Sequence, residues 1–93
     1  MGKHKQAIEC YDECIKLDRK YINAWFGKGN ALRDLGKHKK AIECYDKAIN
    51  IDEQYIYARN NKGVIFGVLG KHKKAIECYD KIIKIDKNYA YSV

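Results

Sequence analysis

The sequence repeats itself every 34 residues. Gly-Lys-His-Lys stands at 2–5, 36–39 and 70–73, and Ala-Ile-Glu-Cys-Tyr-Asp follows each time, at 7–12, 41–46 and 75–80. Residues 2–35 and 36–69 are identical at 18 of 34 positions, and residues 36–59 and 70–93 at 17 of 24, which excludes coincidence. A period of this length marks one supersecondary unit stacked several times, each copy burying its apolar face against the next. At 93 residues the chain has room for a single such array.

Each period holds two helical patterns. Over 39–51 the apolar positions are Ala41, Ile42, Cys44, Tyr45, Ala48, Ile49 and Ile51, and spacings of three and four dominate, as an amphipathic helix requires. Ala24, Trp25, Ala31, Leu32 and Leu35 give a second such series. Gly36 and Gly70 follow the last apolar residue of their helices, where a residue able to take positive φ ends a helix. The pattern predicts helices at about 4–17, 22–35, 38–51, 56–69 and 72–85, each pair being helix, glycine turn, helix, short link. The chain has no proline to break one period from the next. Only Asp18, Asp52 and Asp86 remain as candidate caps for the following helices. The links are therefore open to straightening into a continuous helix, which would permit domain swapping.

A 34-residue helix–turn–helix period with these residues resembles the tetratricopeptide repeat, over essentially the whole chain. Trp25 fits the family's first aromatic position and Gly29 its helix-contact glycine. Ala41 and Tyr45 fit its Ala-x3-aromatic pair, repeated by Ala7/Tyr11 and Ala75/Tyr79. The departures are Lys28 and Lys62, where the family has Leu, and Arg59, where it has Trp. Arg19, Glu53 and Lys87 stand in place of its closing Pro. The resemblance implies an all-α fold, a right-handed superhelical solenoid of antiparallel helix pairs. Residues 2–21 would be the second helix of a repeat, 22–55 and 56–89 two full repeats, and 90–93 a stub of a further helix. On that phasing both ends of the array are incomplete. The last helix keeps Ile76, Tyr79 and Ile83 apolar where a terminal repeat needs a polar outer face. Either the chain is a piece of a longer array or its ends are completed by other chains, and self-association through these residues, as a homo-oligomer, is the expectation.

The first helix of each pair carries a second stripe. Asn23, Phe26, Gly27, Asn30 and Arg33 form it in one repeat, and Tyr57, Asn60, Asn61, Val64 and Gly67 in the next. In the resembled family this stripe lines a concave groove that binds peptides. Asn amides can pair with an extended backbone, and Phe and Tyr supply rigid contact area. The resemblance thus implies a peptide-binding groove made of Asn23, Phe26, Asn30, Arg33, Tyr57, Asn60, Asn61 and Val64, working as a scaffold or adaptor. Asn30 and Asn61 also match two asparagines of the family's carboxylate clamp. Phe26 stands where the clamp's first lysine belongs, and its later basic positions fall past Val93.

Other function classes find less support. Nineteen Lys+Arg against 12 Asp+Glu give a net charge of +7, which favours acidic partners. The Gly-Lys-His-Lys turns line up a basic ridge of Lys3, Lys5, Lys37, Lys39, Lys40, Lys71, Lys73 and Lys74. Nucleic-acid or anion binding there is the alternative reading, opposed by nearby Glu9, Glu43 and Glu77 and by the lack of interleaved aromatics. His4, His38 and His72 share no spacing with an acid or nucleophile, so no catalytic constellation appears and the chain is read as non-enzymatic. Cys10, Cys44 and Cys78 recur one repeat apart, too far for a disulfide, and read as small core residues. Cys10 and Cys14 share a helix face, but two ligands make no metal site, and no cofactor is expected. No apolar run suits a membrane span or a secretory leader, which suggests a cytoplasmic protein.

Overall fold

A computed structural model of the chain describes residues 2–85. They form five α-helices in the order α1 (Gly2–Leu17), α2 (Ile22–Asp34), α3 (His38–Ile51), α4 (Ile56–Val68) and α5 (His72–Ile85), with no strand among the described residues. Each expected helix is present within two residues of its expected ends. The stub at 90–93 and the cap at Asp86 lie outside the described residues. α2 packs on α1 and α3, and α4 packs on α3 and α5, which makes an all-α solenoid of antiparallel helix pairs.

Glycine ends α2 and α4 as the pattern requires. Gly36 and Gly70 take φ of 79° and 77°. Gly36 N–H bonds the Arg33 carbonyl at 2.9 Å and Lys37 N–H bonds the Leu32 carbonyl at 2.9 Å. Gly70 and Lys71 repeat the arrangement on Gly67 and Phe66. These are Schellman motifs, which satisfy carbonyls that a helix end otherwise leaves unpaired.

The two described links between periods are turns, at residues 19–20 and 53–54. Asp18 and Asp52 do not cap α2 and α4. The N-cap positions belong to Tyr21 and Tyr55, neither of which makes a side-chain capping bond. Instead Asp18 Oδ1 accepts Lys20 N–H and Asp52 Oδ1 accepts Gln54 N–H, each at 3.0 Å. The Asp18 and Asp52 carbonyls then accept Tyr21 and Tyr55 N–H at 3.2 and 3.0 Å. An Asx-turn of this kind bends the chain without proline, because the carboxylate mimics the backbone of a turn. A long-range bond closes each link. Trp25 Nε1 donates to the Arg19 carbonyl at 2.8 Å, and Arg59 Nε donates to the Glu53 carbonyl at 3.0 Å. Arg59 thus replaces the indole with a second N–H donor that reaches the same turn.

Leu32, Ala41, Cys44, Tyr45, Ala48, Ala58 and Ile65 form the buried cluster, with Trp25, Phe26, Ile42 and Ile49 packed against it. Small residues at the seams let the helices approach closely. The other two departures from the family pattern have a common cause: Lys28 pairs with Asp12 at 2.6 Å and Lys62 with Asp46 at 2.5 Å. Both pairs join the first helix of a repeat to the second helix before it. They are partly exposed and contribute register more than stability, since such pairs are worth about 0–1 kcal/mol.

Candidate functional site

The stripe is carried by α2 and α4, which meet along it. Phe26 lies with its ring centroid 5.4 Å from Tyr55 and 6.5 Å from Tyr57, and Tyr55 and Tyr57 are 5.5 Å apart. The Phe26–Tyr55 and Tyr55–Tyr57 pairs are edge-to-face, at 75° and 72°, as the aromatic quadrupole favours. Tyr57 leaves 62% of its surface exposed, whereas Phe26 and Tyr55 are half-buried.

Beside it Asn30 Oδ1 accepts two hydrogen bonds, from Tyr45 Oη at 2.5 Å and from Asn61 Nδ2 at 2.8 Å. Tyr45 reaches this point from α3 because Gly29 leaves space for its ring: a Cβ on Gly29 would sit 2.7 Å from Tyr45 Cε1. The two asparagines therefore lock α2, α3 and α4 together as well as facing the stripe. Burial pushes the Tyr45 hydroxyl pKa above its ordinary 10.0, opposed by nearby Arg33 and the Asn61 amide. The Tyr55 hydroxyl is raised by burial and by Tyr57 beside it.

Of the eight residues expected in the groove, Phe26, Asn30, Tyr57 and Asn61 come together. Asn23 and Val64 lie exposed on the same two helices, outside the cluster, and Asn60 is half-buried on α4. Arg33 is half-buried, with its guanidinium 3.5 Å from Asp34. Gly27, read as part of the stripe, instead receives the Tyr11 ring of α1. The stripe pattern does not single out Tyr45 and Tyr55. The recurrence of Tyr at 21, 55 and 89, and the pairing of Tyr45 with a glycine on the preceding helix, are the signals that point to them.

The α5 face divides. Ile76 and Ile83 are 57% and 39% exposed. Tyr79, expected on the same outer face, turns inward against Gly63 of α4, where a Cβ would meet its Cζ at 3.0 Å. The four cysteines are free thiols. Cys44 is buried as a core residue and its pKa is raised by desolvation, whereas Cys10 is exposed. No described helix is long and apolar enough to cross a membrane.

Stacked antiparallel helix pairs on a 34-residue period, with an aromatic and amide-bearing face on their first helices, define a helical-repeat protein. Models of the tetratricopeptide repeat match residues 10–43 and 56–89, and a TPR repeat model matches 29–70. Together they span 10–89, and the chain belongs to the tetratricopeptide repeat family. No curated protein sequence gives a significant match. Among solved structures, the crystal structure of MamA is similar over 96% of this chain and 52% of its own, with 27% identity and a TM-score of 0.89. The chain thus spans about half the length of that protein. The second TPR of Spaghetti (RPAP3), bound to the HSP90 peptide SRMEEVD, matches 91% of this chain and 79% of its own, with 26% identity and a TM-score of 0.83. The TPR2B domain of yeast Sti1, in a complex with pHsp70, shares the fold at 24% identity and a TM-score of 0.85, over 91% of this chain and 68% of its own.

Proposed function

We propose that the chain is a non-catalytic interaction module that holds an extended peptide segment on the α2–α4 face. The observation that carries this reading is the Phe26–Tyr55–Tyr57 cluster, with Tyr57 exposed, beside the Asn30–Asn61 pair. Rigid aromatic area and amides are what a groove needs to take up apolar side chains and backbone groups together. The peptide-bound domain of Spaghetti, similar in fold, supports the class of ligand. The mode differs from a carboxylate clamp. Phe26 is apolar, and Asn30 Oδ1 is already shared between Tyr45 and Asn61, so an apolar anchor on Phe26 and Tyr57 leads the binding. The net charge of +7 favours acidic segments.

Selection from a random peptide library tests this. Enriched peptides are expected to carry an apolar anchor, and their affinity is expected to fall at least tenfold in the Phe26→Ala/Tyr57→Ala variant. No enrichment, or unchanged affinity in that variant, would remove the reading.

A second reading is assembly with copies of itself, favoured by Ile76 and Ile83 standing exposed on α5. Light scattering across a concentration series is expected to give a species larger than a monomer, reduced to a monomer by Ile76→Lys/Ile83→Lys. A monomer at every concentration would eliminate it.

A further inference from the structure

The two gaps between successive second helices are built on the same backbone plan, yet they differ in size. The cleft between α1 and α3, floored by α2, has a volume of about 560 Å³, and its counterpart between α3 and α5, floored by α4, about 250 Å³. Side chains make the difference. In the smaller cleft Phe66 takes the place of Leu32, and Lys62 and Lys74 lay their ammonium groups 5.9 and 5.6 Å from the centre of its ring. In the larger one the equivalent floor is Trp25, Leu32 and Leu35. The indole is fixed there by its bond to the Arg19 carbonyl.

The rim of the larger cleft is basic. Lys5, Lys37, Lys40 and Lys47 line it, and among the described residues no carboxylate lies within 4.0 Å of any of their ammonium groups. Lys28 also lines it but is neutralised by Asp12. Glu9 and Glu43 are the remaining acids, so the rim keeps an excess of positive charge over an apolar floor. Such a combination attracts a ligand that is acidic at its ends and apolar between them.

We infer that this cleft, on the side of the solenoid formed by α1 and α3, is a second binding site, which takes an acidic peptide segment with an apolar side chain between its acids. The spacing follows from helix geometry. Lys40 and Lys47 are seven residues apart on α3, or about 10 Å along its axis. A peptide in the polyproline II conformation covers about 9 Å in three residues, and its period of three returns side chains i and i+3 to the same side. Acids at i and i+3 therefore meet both lysines, with the intervening side chain over Trp25.

Trp25 is the sole tryptophan, so its fluorescence reports the cleft directly. The probe is the capped hexapeptide Asp-Glu-Leu-Leu-Glu-Asp, titrated at low salt into the protein and its variants, with folding checked by circular dichroism. A saturable change is expected. Lys40→Glu/Lys47→Glu is expected to weaken it at least tenfold, while Lys74→Glu/Lys81→Glu, the same charge change at the smaller cleft, weakens it less than threefold. Phe26→Ala/Tyr57→Ala is expected to leave it unchanged, so this site and the α2–α4 groove stand or fall separately. The inference is overturned by no saturable change, by equal losses in the two charge-reversal variants, or by loss in Phe26→Ala/Tyr57→Ala. Tighter binding of a ten-nucleotide oligothymidylate than of the peptide would also overturn it, in favour of a nucleic-acid surface.

Discussion

Tyr45→Ala is expected to cost about 4 kcal/mol, the upper range for removing a buried aromatic ring. Tyr45 is fully buried; it fills the space that Gly29 leaves open, and its hydroxyl anchors Asn30. A domain of this size has only about 4–13 kcal/mol to lose. The variant is therefore expected to be largely unfolded or close to it, by urea titration followed through Trp25 fluorescence. Tyr45→Phe keeps the ring and is expected to cost about 1 kcal/mol, because Asn30 Oδ1 retains its bond from Asn61. The same residue governs alkaline stability. Its hydroxyl pKa is raised in the folded state, so its contribution is complete below pH 10.0, the unfolded value, and is lost as pH rises through the folded pKa. The thiols of Cys44 and Cys78, raised by burial from 9.0, begin the decline about one pH unit earlier. Tyr45→Phe is expected to flatten the fall above pH 10.0. An equal slope in wild type and variant, or a Tyr45→Ala protein as stable as Tyr45→Phe, would show that the ring and hydroxyl do not hold this seam.

Helix positions were legible because one periodic pattern, stated three times, fixes which face is apolar and where a glycine must stop it. The groove stripe was legible only as a set of positions. Asn30 and Asn61 are 31 residues apart, and nothing local says whether their amides pair with a ligand or with each other. That depends on the distance between α2 and α4, which Tyr45 and Gly29 set from a third helix. The links show the same limit. Asp18 and Asp52 read from the sequence as candidate caps, but a carboxylate near a helix start can bond the helix or its own turn, and here Tyr21 and Tyr55 take the cap position. Arg59 looked like the loss of an aromatic anchor. Its Nε recovers the hydrogen bond of Trp25, because both side chains carry an N–H at a similar reach. The apolar character of Tyr79 alone puts it on the outer face, whereas its register with Tyr45 and the glycine opposite decides that it points inward.

Gly29→Ala and Gly63→Ala are expected to part company, although the two glycines are repeat equivalents. Alanine is better than glycine within a helix by about 1 kcal/mol, so both substitutions start with a gain. At Gly29 the added Cβ would lie 2.7 and 2.9 Å from Tyr45 Cε1 and Cδ1. That ring is fully buried and held by its hydroxyl, so it cannot retreat without opening the Asn30 bond. Overpacking of this kind costs about 1–3 kcal/mol, and the lost hydrogen bond adds about 1 kcal/mol. A net loss of about 2 kcal/mol follows, or roughly 10 °C in Tm for a domain of this size. At Gly63 the added Cβ would meet Tyr79 Cζ at 3.0 Å, Cε1 at 3.1 Å and Cys78 Cβ at 3.3 Å. The contact is 0.3 Å longer than at Gly29 and Tyr79 is only half-buried, so a shift of a few tenths of an ångström relieves it. Gly63→Ala is therefore expected within about 0.5 kcal/mol of wild type, the helical gain offsetting the contact. Thermal melts of both variants read the difference. A Gly29→Ala protein as stable as Gly63→Ala would mean that Tyr45 is free to move, and that the lock between α2, α3 and α4 is looser than its hydrogen bonds imply.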